Sequence, residues 1–144
     1  MSPNFDRNKS DEIAQDLLGM EFALGGRGKD KKIDCYGVLV HYYREFGLTL
    51  PDYNSSEDWG ENEDTILSEY ANFFTKLNSI GELQVGDMIL FLSHGASAMG
   101  HLGVYLGKGK FIHSYEKIGV KIDSFADKIW KEKAIKFFRV KDRD

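Results

Sequence analysis

The sequence predicts an α+β domain in which N-terminal helices pack on an antiparallel sheet of about five to six strands. Two observations predict it. Over the first half of the chain, apolar residues recur at helical spacing; from Val85 onward they gather into short runs with Gly or Lys-Gly between several of them. Helices first and strands later imply segregated layers rather than alternating βαβ units. The 144 residues suit one domain, expected over 10–144 behind a flexible segment, 1–9.

Each element has its own signal. Ser10 is an N-cap residue type, with Asp11 and Glu12 in the first turn; Ile13, Leu17 and Leu18 follow at helical spacing, and Gly19 can end the helix. Residues 25–32 are Gly-rich and basic, with no apolar side chain to bury, and read as a mobile loop. A second helix begins near Asp34 or Cys35. Its stripe of Cys35, Val38, Leu39, Tyr42 and Phe46 falls at offsets 0, 3, 4, 7 and 11, and Gly47 suits the residue after its end. A third helix is expected over 65–77, within an aromatic-rich insert spanning 57–79. Strands are expected at Met88–Leu92, His101–Leu106, Phe111–Tyr115, Val120–Ile122 and Ala134–Val140, as a meander interrupted by a short helix near Ser124–Lys131.

Composition excludes several classes. The formal net charge of −4 argues against non-specific binding to nucleic acid or anionic lipid. One cysteine permits no internal disulfide. No apolar run approaches the roughly 20 residues that span a bilayer, and the first residues lack the apolar stretch of a signal peptide. The chain is expected to be soluble and made in a cytoplasm.

The residues that carry chemistry are Cys35 and the histidines. A lone cysteine is as readily a small buried hydrophobe. Cys35, however, stands in the first turn of a helix, where amide dipoles are expected to lower a thiol's pKa. A thiolate nucleophile needs an imidazole within hydrogen-bond reach. His41 lies six residues further along the same helix, about 600° round it, and points away. His94 lies in a Gly/Ser/Ala loop, whereas His101 opens a strand and His113 sits on the next one. Their cooperation depends on the hairpin between them. A two-residue turn at Lys108-Gly109 sets Val104 opposite His113 and sends the imidazoles to opposite faces. A three-residue turn with Gly109 left-handed sets Gly103 opposite His113. His101 then lies diagonal to it on the same face, roughly 7–8 Å away at the backbone. A triad requires the second register, which also puts Gly103 on the catalytic face, where the Cys35 helix could approach closely. Zinc binding is the competing chemistry, but no His-x-x-x-His or Cys-x-x-Cys spacing supports it. Neither metal nor cofactor is expected.

Three motifs together resemble the NlpC-type branch of papain-like cysteine peptidases. The first is Gly19 to Gly37, with Asp34-Cys35-Tyr36-Gly37 matching an Asp-Cys-x-Gly signature. The second is Leu83-Gln84-Val85-Gly86-Asp87 with the strand that follows; the third is the His101–His113 hairpin. The loop at 25–28 and the stretch from Tyr43 to Tyr53 look most like the bacteriophage tail-associated members. The resemblance implies a papain-like fold with Cys35 as nucleophile, His101 as base and His113 as the third polar residue. It implies hydrolysis of peptidoglycan stem peptides, typically beside a γ-linked D-glutamate, and phage tail proteins as partners. Arg27, Phe22, Tyr36 and Asp34 are the expected substrate contacts, with Arg27 a clamp for stem-peptide carboxylates. Phe22 departs from the family pattern, which has tyrosine there, so its hydroxyl is missing near the nucleophile. A tail-tip subunit that kept the fold without useful activity is one alternative. A thiol-dependent acyltransferase or deamidase is another.

Overall fold

The computed structural model describes residues 4–50, 73–92 and 101–141. Two helices come first: α1, Arg7–Leu17, and α2, Cys35–Glu45. Six strands follow: β1 Phe74–Lys76, β2 Met88–Phe91, β3 His101–Gly107, β4 Lys110–Tyr115, β5 Gly119–Ser124 and β6 Ala134–Val140. A short helix, α3, Lys128–Lys133, precedes β6. The strands form one sheet in the order β1-β6-β2-β3-β4-β5, with every pairing antiparallel.

The layers follow from strand alternation. Leu90, Leu102, Val104, Leu106, Ile112 and Val120 share a core with Ile13, Leu17, Val38, Leu39 and Tyr42 from the helices. The opposite face carries a second cluster of Ile89, Phe91, Phe111 and Phe137, with Phe125 and Trp130 packed on it. Helix α2 is buried on more than one side, since Tyr36, Val40 and Tyr43 join the stripe residues in the core. At the far edge, Gly19 and Met20 after α1 hydrogen-bond to Val120 of β5.

Several boundaries differ from the sequence reading. Helix α1 starts at Arg7 rather than Ser10, because the Asp6 side chain accepts from the Lys9 amide and caps the helix there. Phe5 stacks on Tyr42 and meets Tyr43 and Phe46 edge-on, so residues 5–9 of the segment expected to be flexible are held. Ser10 is buried instead, its hydroxyl 2.6 Å from the Tyr42 hydroxyl. The helix expected over 65–77 lies outside the described residues up to 72, and Phe74–Lys76 within it is a strand, pairing with the far end of β6. The insert over 57–79 lies outside the described residues up to 72 as well. The meander holds for β2 through β5 only, because β6 crosses back to pair with β2. A bidentate pair explains its anchorage: Arg139 Nε and Nη2 donate to the buried Asp87 carboxylate at 3.0 and 2.8 Å.

Candidate active site

The start of α2 is built by Asp34. Its Oδ1 accepts from the Gly37 amide at 2.7 Å, capping the helix, and its Oδ2 accepts from the Gly25 amide at 2.8 Å. Arg27 Nη1 donates to the same carboxylate at 2.9 Å and to the Gly26 carbonyl at 2.9 Å. The loop over 25–32, expected to be mobile, is therefore laced to the helix start, and a tight turn at Lys29–Lys31, with Asp30 and Lys31 at positive φ, adds backbone bonds from Lys31 and Lys32 to the Gly28 and Lys29 carbonyls. Gly37 has a packing reason to be glycine, since a Cβ there would run into the Gly26 carbonyl and the Ile33 side chain. The spacing of glycine two residues after the cysteine is thus a close-approach requirement of this loop.

These contacts revise the expected substrate residues. Tyr36 is 1% exposed and lies under the Arg27 guanidinium, 5.3 Å from its ring centre, so it is core rather than pocket wall. Asp34 is buried and committed to the helix start. Arg27 is engaged with Asp34, which is a structural task different from clamping a substrate carboxylate. Phe22 is half-buried, next to the short bridge between Glu21 and Lys32.

Cys35 occupies the first turn of α2 and is half-buried. Its thiol is pushed up to about 12, first by desolvation and then by the neighbouring Asp34 carboxylate. Backbone amides of Leu102, Tyr36 and Cys35 itself act the other way and lose. The lowered thiol pKa expected from the helix start is therefore overturned: dehydration outweighs the helix amides at this site. The Leu102 contact also shows where α2 meets the sheet, at the residue next to His101.

His101 and His113 lie on one face of the sheet, with His101 Nε2 2.6 Å from His113 Nδ1. Strand pairing explains it. Val104 pairs with Ile112, and continuing that ladder by one residue sets Gly103 opposite His113, the register a triad requires. The turn that achieves it differs from expectation. Lys108 and Gly109 form a two-residue turn, both with positive φ, and a bulge between Tyr105 and Gly107 supplies the extra residue. Gly103 does not receive α2. A Cβ there would press on the Ile112 carbonyl and the rings of Phe91 and Phe111, so its bare backbone makes room for the aromatic cluster.

Sequence reasoning missed the next member. Asp123 on β5 brings Oδ2 within 2.7 Å of His113 Nε2. Its signal was the alternation of β5: Val120 packs on the helical side, while Lys121 pairs opposite His113 and Asp123 sits diagonal to it. The imidazoles are enclosed by aromatic rings, with Trp130 of α3 edge-on to His113 at 4.7 Å and Tyr115 edge-on to His101 at 5.7 Å. Burial, followed by the charges of His113 and Lys133, holds His101 well below the ordinary imidazole value of 6.5. Burial lowers His113 too, with Asp123 opposing. His101 is thus a neutral base at neutral pH. Its Nε2 is engaged with His113, and Nδ1 is the ring nitrogen outside that bond.

His41 lies apart, between Arg44 and Glu45 on the outer side of α2, and His94 lies outside the described residues. Among the described residues no group of three or more His, Cys, Asp or Glu is arranged to hold a metal ion. Nor, among them, is any helix long and apolar enough to cross a membrane.

Comparison with known proteins adds to this geometry. The model of the NlpC/P60 family matches residues 19–139. The chain is 33% identical over 129 residues to a murein DD-endopeptidase/murein LD-carboxypeptidase of Escherichia coli, covering 89% of this chain and 60% of that protein. It is 26% identical over 124 residues to a bifunctional muramidase/DL-endopeptidase of Bacillus subtilis, covering 85% of this chain and 33% of that one. The chain therefore spans less than two thirds of the length of these relatives, 60% of one and 33% of the other. Among solved structures, an NLP/P60-family lipoprotein-like protein of Staphylococcus aureus superposes with a TM-score of 0.68 at 24% identity, covering 99% of this chain and 44% of that one. The NlpC/p60 domain of the peptidoglycan hydrolase SagA superposes with a TM-score of 0.62 at 20% identity, covering 93% of this chain and 97% of that domain. At those identities the structural likeness speaks for the fold.

Proposed function

This chain belongs to the NlpC/P60 family, and on that footing we propose that it is a cysteine peptidase that hydrolyses peptide bonds in peptidoglycan stem peptides. The observation that carries the reading is the His101–His113 hydrogen bond, on a strand whose next residue, Leu102, meets the Cys35 sulfur. A murein DD-endopeptidase and a muramidase/DL-endopeptidase among the relatives support the substrate class.

The chemistry follows from the resting state. With the thiol raised and the imidazole lowered, the pair rests neutral, and His101 acts as a general base. Nδ1 of His101 takes the thiol proton as sulfur attacks the scissile carbonyl carbon. The oxyanion formed accepts from the Cys35 backbone N–H at the start of α2. His101 returns the proton to the leaving amine as the C–N bond breaks, leaving an acyl-enzyme. Water, deprotonated by the same imidazole, then releases the acid and restores the thiol. A bond beside a γ-linked D-glutamate is the proposed target, and residues 25–28 and 43–53 support a tail-borne member by their resemblance alone.

A second reading, a tail-tip subunit with little turnover, is favoured by Phe22, which brings no hydroxyl to the site. Digestion of purified peptidoglycan separates the two. Wild type is expected to release new amino termini and Cys35→Ala to release none. Equal release from both, or from neither, would end the peptidase reading.

A further inference from the structure

We propose that Asp123 is a positioning residue which, through His113, sets the tautomer of His101 and so decides that Nδ1 is its basic nitrogen. The inference deepens the peptidase reading and rests on it for its catalytic meaning.

The argument is a chain of donors and acceptors. An ionised carboxylate can only accept, so the 2.7 Å contact between Asp123 Oδ2 and His113 Nε2 requires the proton of His113 to sit on Nε2. Neutral His113 then has a bare lone pair on Nδ1. That nitrogen lies 2.6 Å from His101 Nε2, so His101 must be the donor and must carry its own proton on Nε2. Neutral His101 therefore presents a lone pair on Nδ1. When it takes the thiol proton, the imidazolium keeps donating from Nε2 to His113, and no proton needs to move beyond His101.

The surroundings leave little else to set this order. His113 is fully buried and His101 is 8% exposed. The faces around them are the rings of Phe91, Phe111, Tyr115 and Trp130, which offer no competing carboxylate. Among the described residues the charged groups nearby are Lys133, at the end of α3, and Lys121, whose Nζ lies 3.7 Å from the other oxygen of Asp123. Both are cations, so neither can accept from an imidazole N–H. Asp123 is the acidic end of the relay, and it is 17% exposed, dry enough for its orientation to matter.

The test reads tautomers directly. Full-length protein labelled with 15N-histidine is examined by long-range 1H–15N correlation above the ordinary imidazole value of 6.5, where the ring pair is neutral. Glutamine substitutions of His41 and His94 remove the other two signals. Wild type is expected to show Nε2–H on both His101 and His113. In Asp123→Ala the Nδ1–H form of both is expected to appear, with kcat on a stem peptide falling roughly 10- to 100-fold while KM stays, the range seen when the carboxylate partner of a ligating imidazole is removed. Asp123→Asn, whose amide both donates and accepts, serves if the alanine variant does not fold, and should show both tautomers. Lys121→Ala is expected to leave the tautomers at their wild-type state. A wild-type His113 protonated on Nδ1, or a folded Asp123 variant with unchanged tautomers, would overturn the inference. Tautomers that switch in a protein inert on peptidoglycan would keep it and sink the peptidase reading instead.

Discussion

Ser114 of β4 donates a 2.7 Å hydrogen bond from its hydroxyl to the carbonyl of Ile33, two residues before Cys35. The bond joins segments 81 positions apart in sequence. Both residues are fully buried, so water cannot replace either partner. It ties the strand that carries His113 to the segment that leads into Cys35.

Removing that hydroxyl leaves a buried carbonyl without its partner, which costs about 1–3 kcal/mol. Ser114→Ala is therefore expected to lower the urea midpoint at unchanged slope. Because the bond also sets the separation of Cys35 from the histidine strand, kcat on a stem peptide should fall as well. A variant with the wild-type midpoint would show that the bond carries no net stability.

The Asp87–Arg139 pair makes a larger prediction. Asp87 is 1% exposed and also accepts from the Gln84 amide at 2.7 Å, so its charge stays buried when Arg139 is truncated. Breaking a fully buried pair from one side costs about 3–5 kcal/mol, and because the Arg139 side chain is 32% exposed this pair falls at the lower end, about 3 kcal/mol. Arg139→Ala should lose an amount near that, measured by chemical denaturation, and Asp87→Asn combined with Arg139→Ala should lose less than Arg139→Ala alone. A double variant that loses the sum of the single effects would remove the claimed coupling.

Legibility in the sequence followed the range of the interactions. Helix α2 and the strand runs are written in local periodicity, and β6 appears where its apolar run says, whereas the His101–His113 register stayed open until the bulge between Tyr105 and Gly107 decided it. The Gly37 requirement was visible only as a motif, because its reason is the Gly26 carbonyl eleven positions upstream. What stayed hidden depends on contacts between distant segments. The thiol pKa took the opposite direction because helix position is local whereas dehydration is set by the whole fold. Asp123 lies one residue beyond the expected strand Val120–Ile122, and only the longer β5 paired with β4 turns it to His113. The start of α1 is a different case: its signal, the Asp6 cap, is local, and Ser10 competed as a residue of the same capping type.

Asp34 predicts a change in Cys35 with a defined sign. Its carboxylate disfavours the thiolate next to it. Asp34→Asn removes that charge while an amide oxygen can still accept from the Gly37 amide and cap α2. The Cys35 pKa should drop, and alkylation by iodoacetamide should run faster than in wild type at any given pH below it. An equal or slower rate in the folded variant would refute the assignment of Asp34 as a cause of the raised thiol.

The depressed imidazoles predict how activity and stability respond to acid. General-base action needs His101 unprotonated, and its folded pKa lies well below 6.5. The acid limb of kcat/KM should therefore fall below that value, with activity retained in mildly acidic buffer where an ordinary imidazole would already be charged. Stability has the same sign. In the unfolded chain His101 and His113 bind protons near 6.5, whereas the folded protein resists charging them. The stability they contribute is full above 6.5 and is lost as pH falls from there through the folded pKa values. Unfolding midpoints of wild type and His101→Gln, measured across that window, should converge as pH drops, because the variant has one fewer group to protonate on unfolding. Parallel midpoint curves, or an acid limb of kcat/KM at or above 6.5, would contradict a buried, neutral His101.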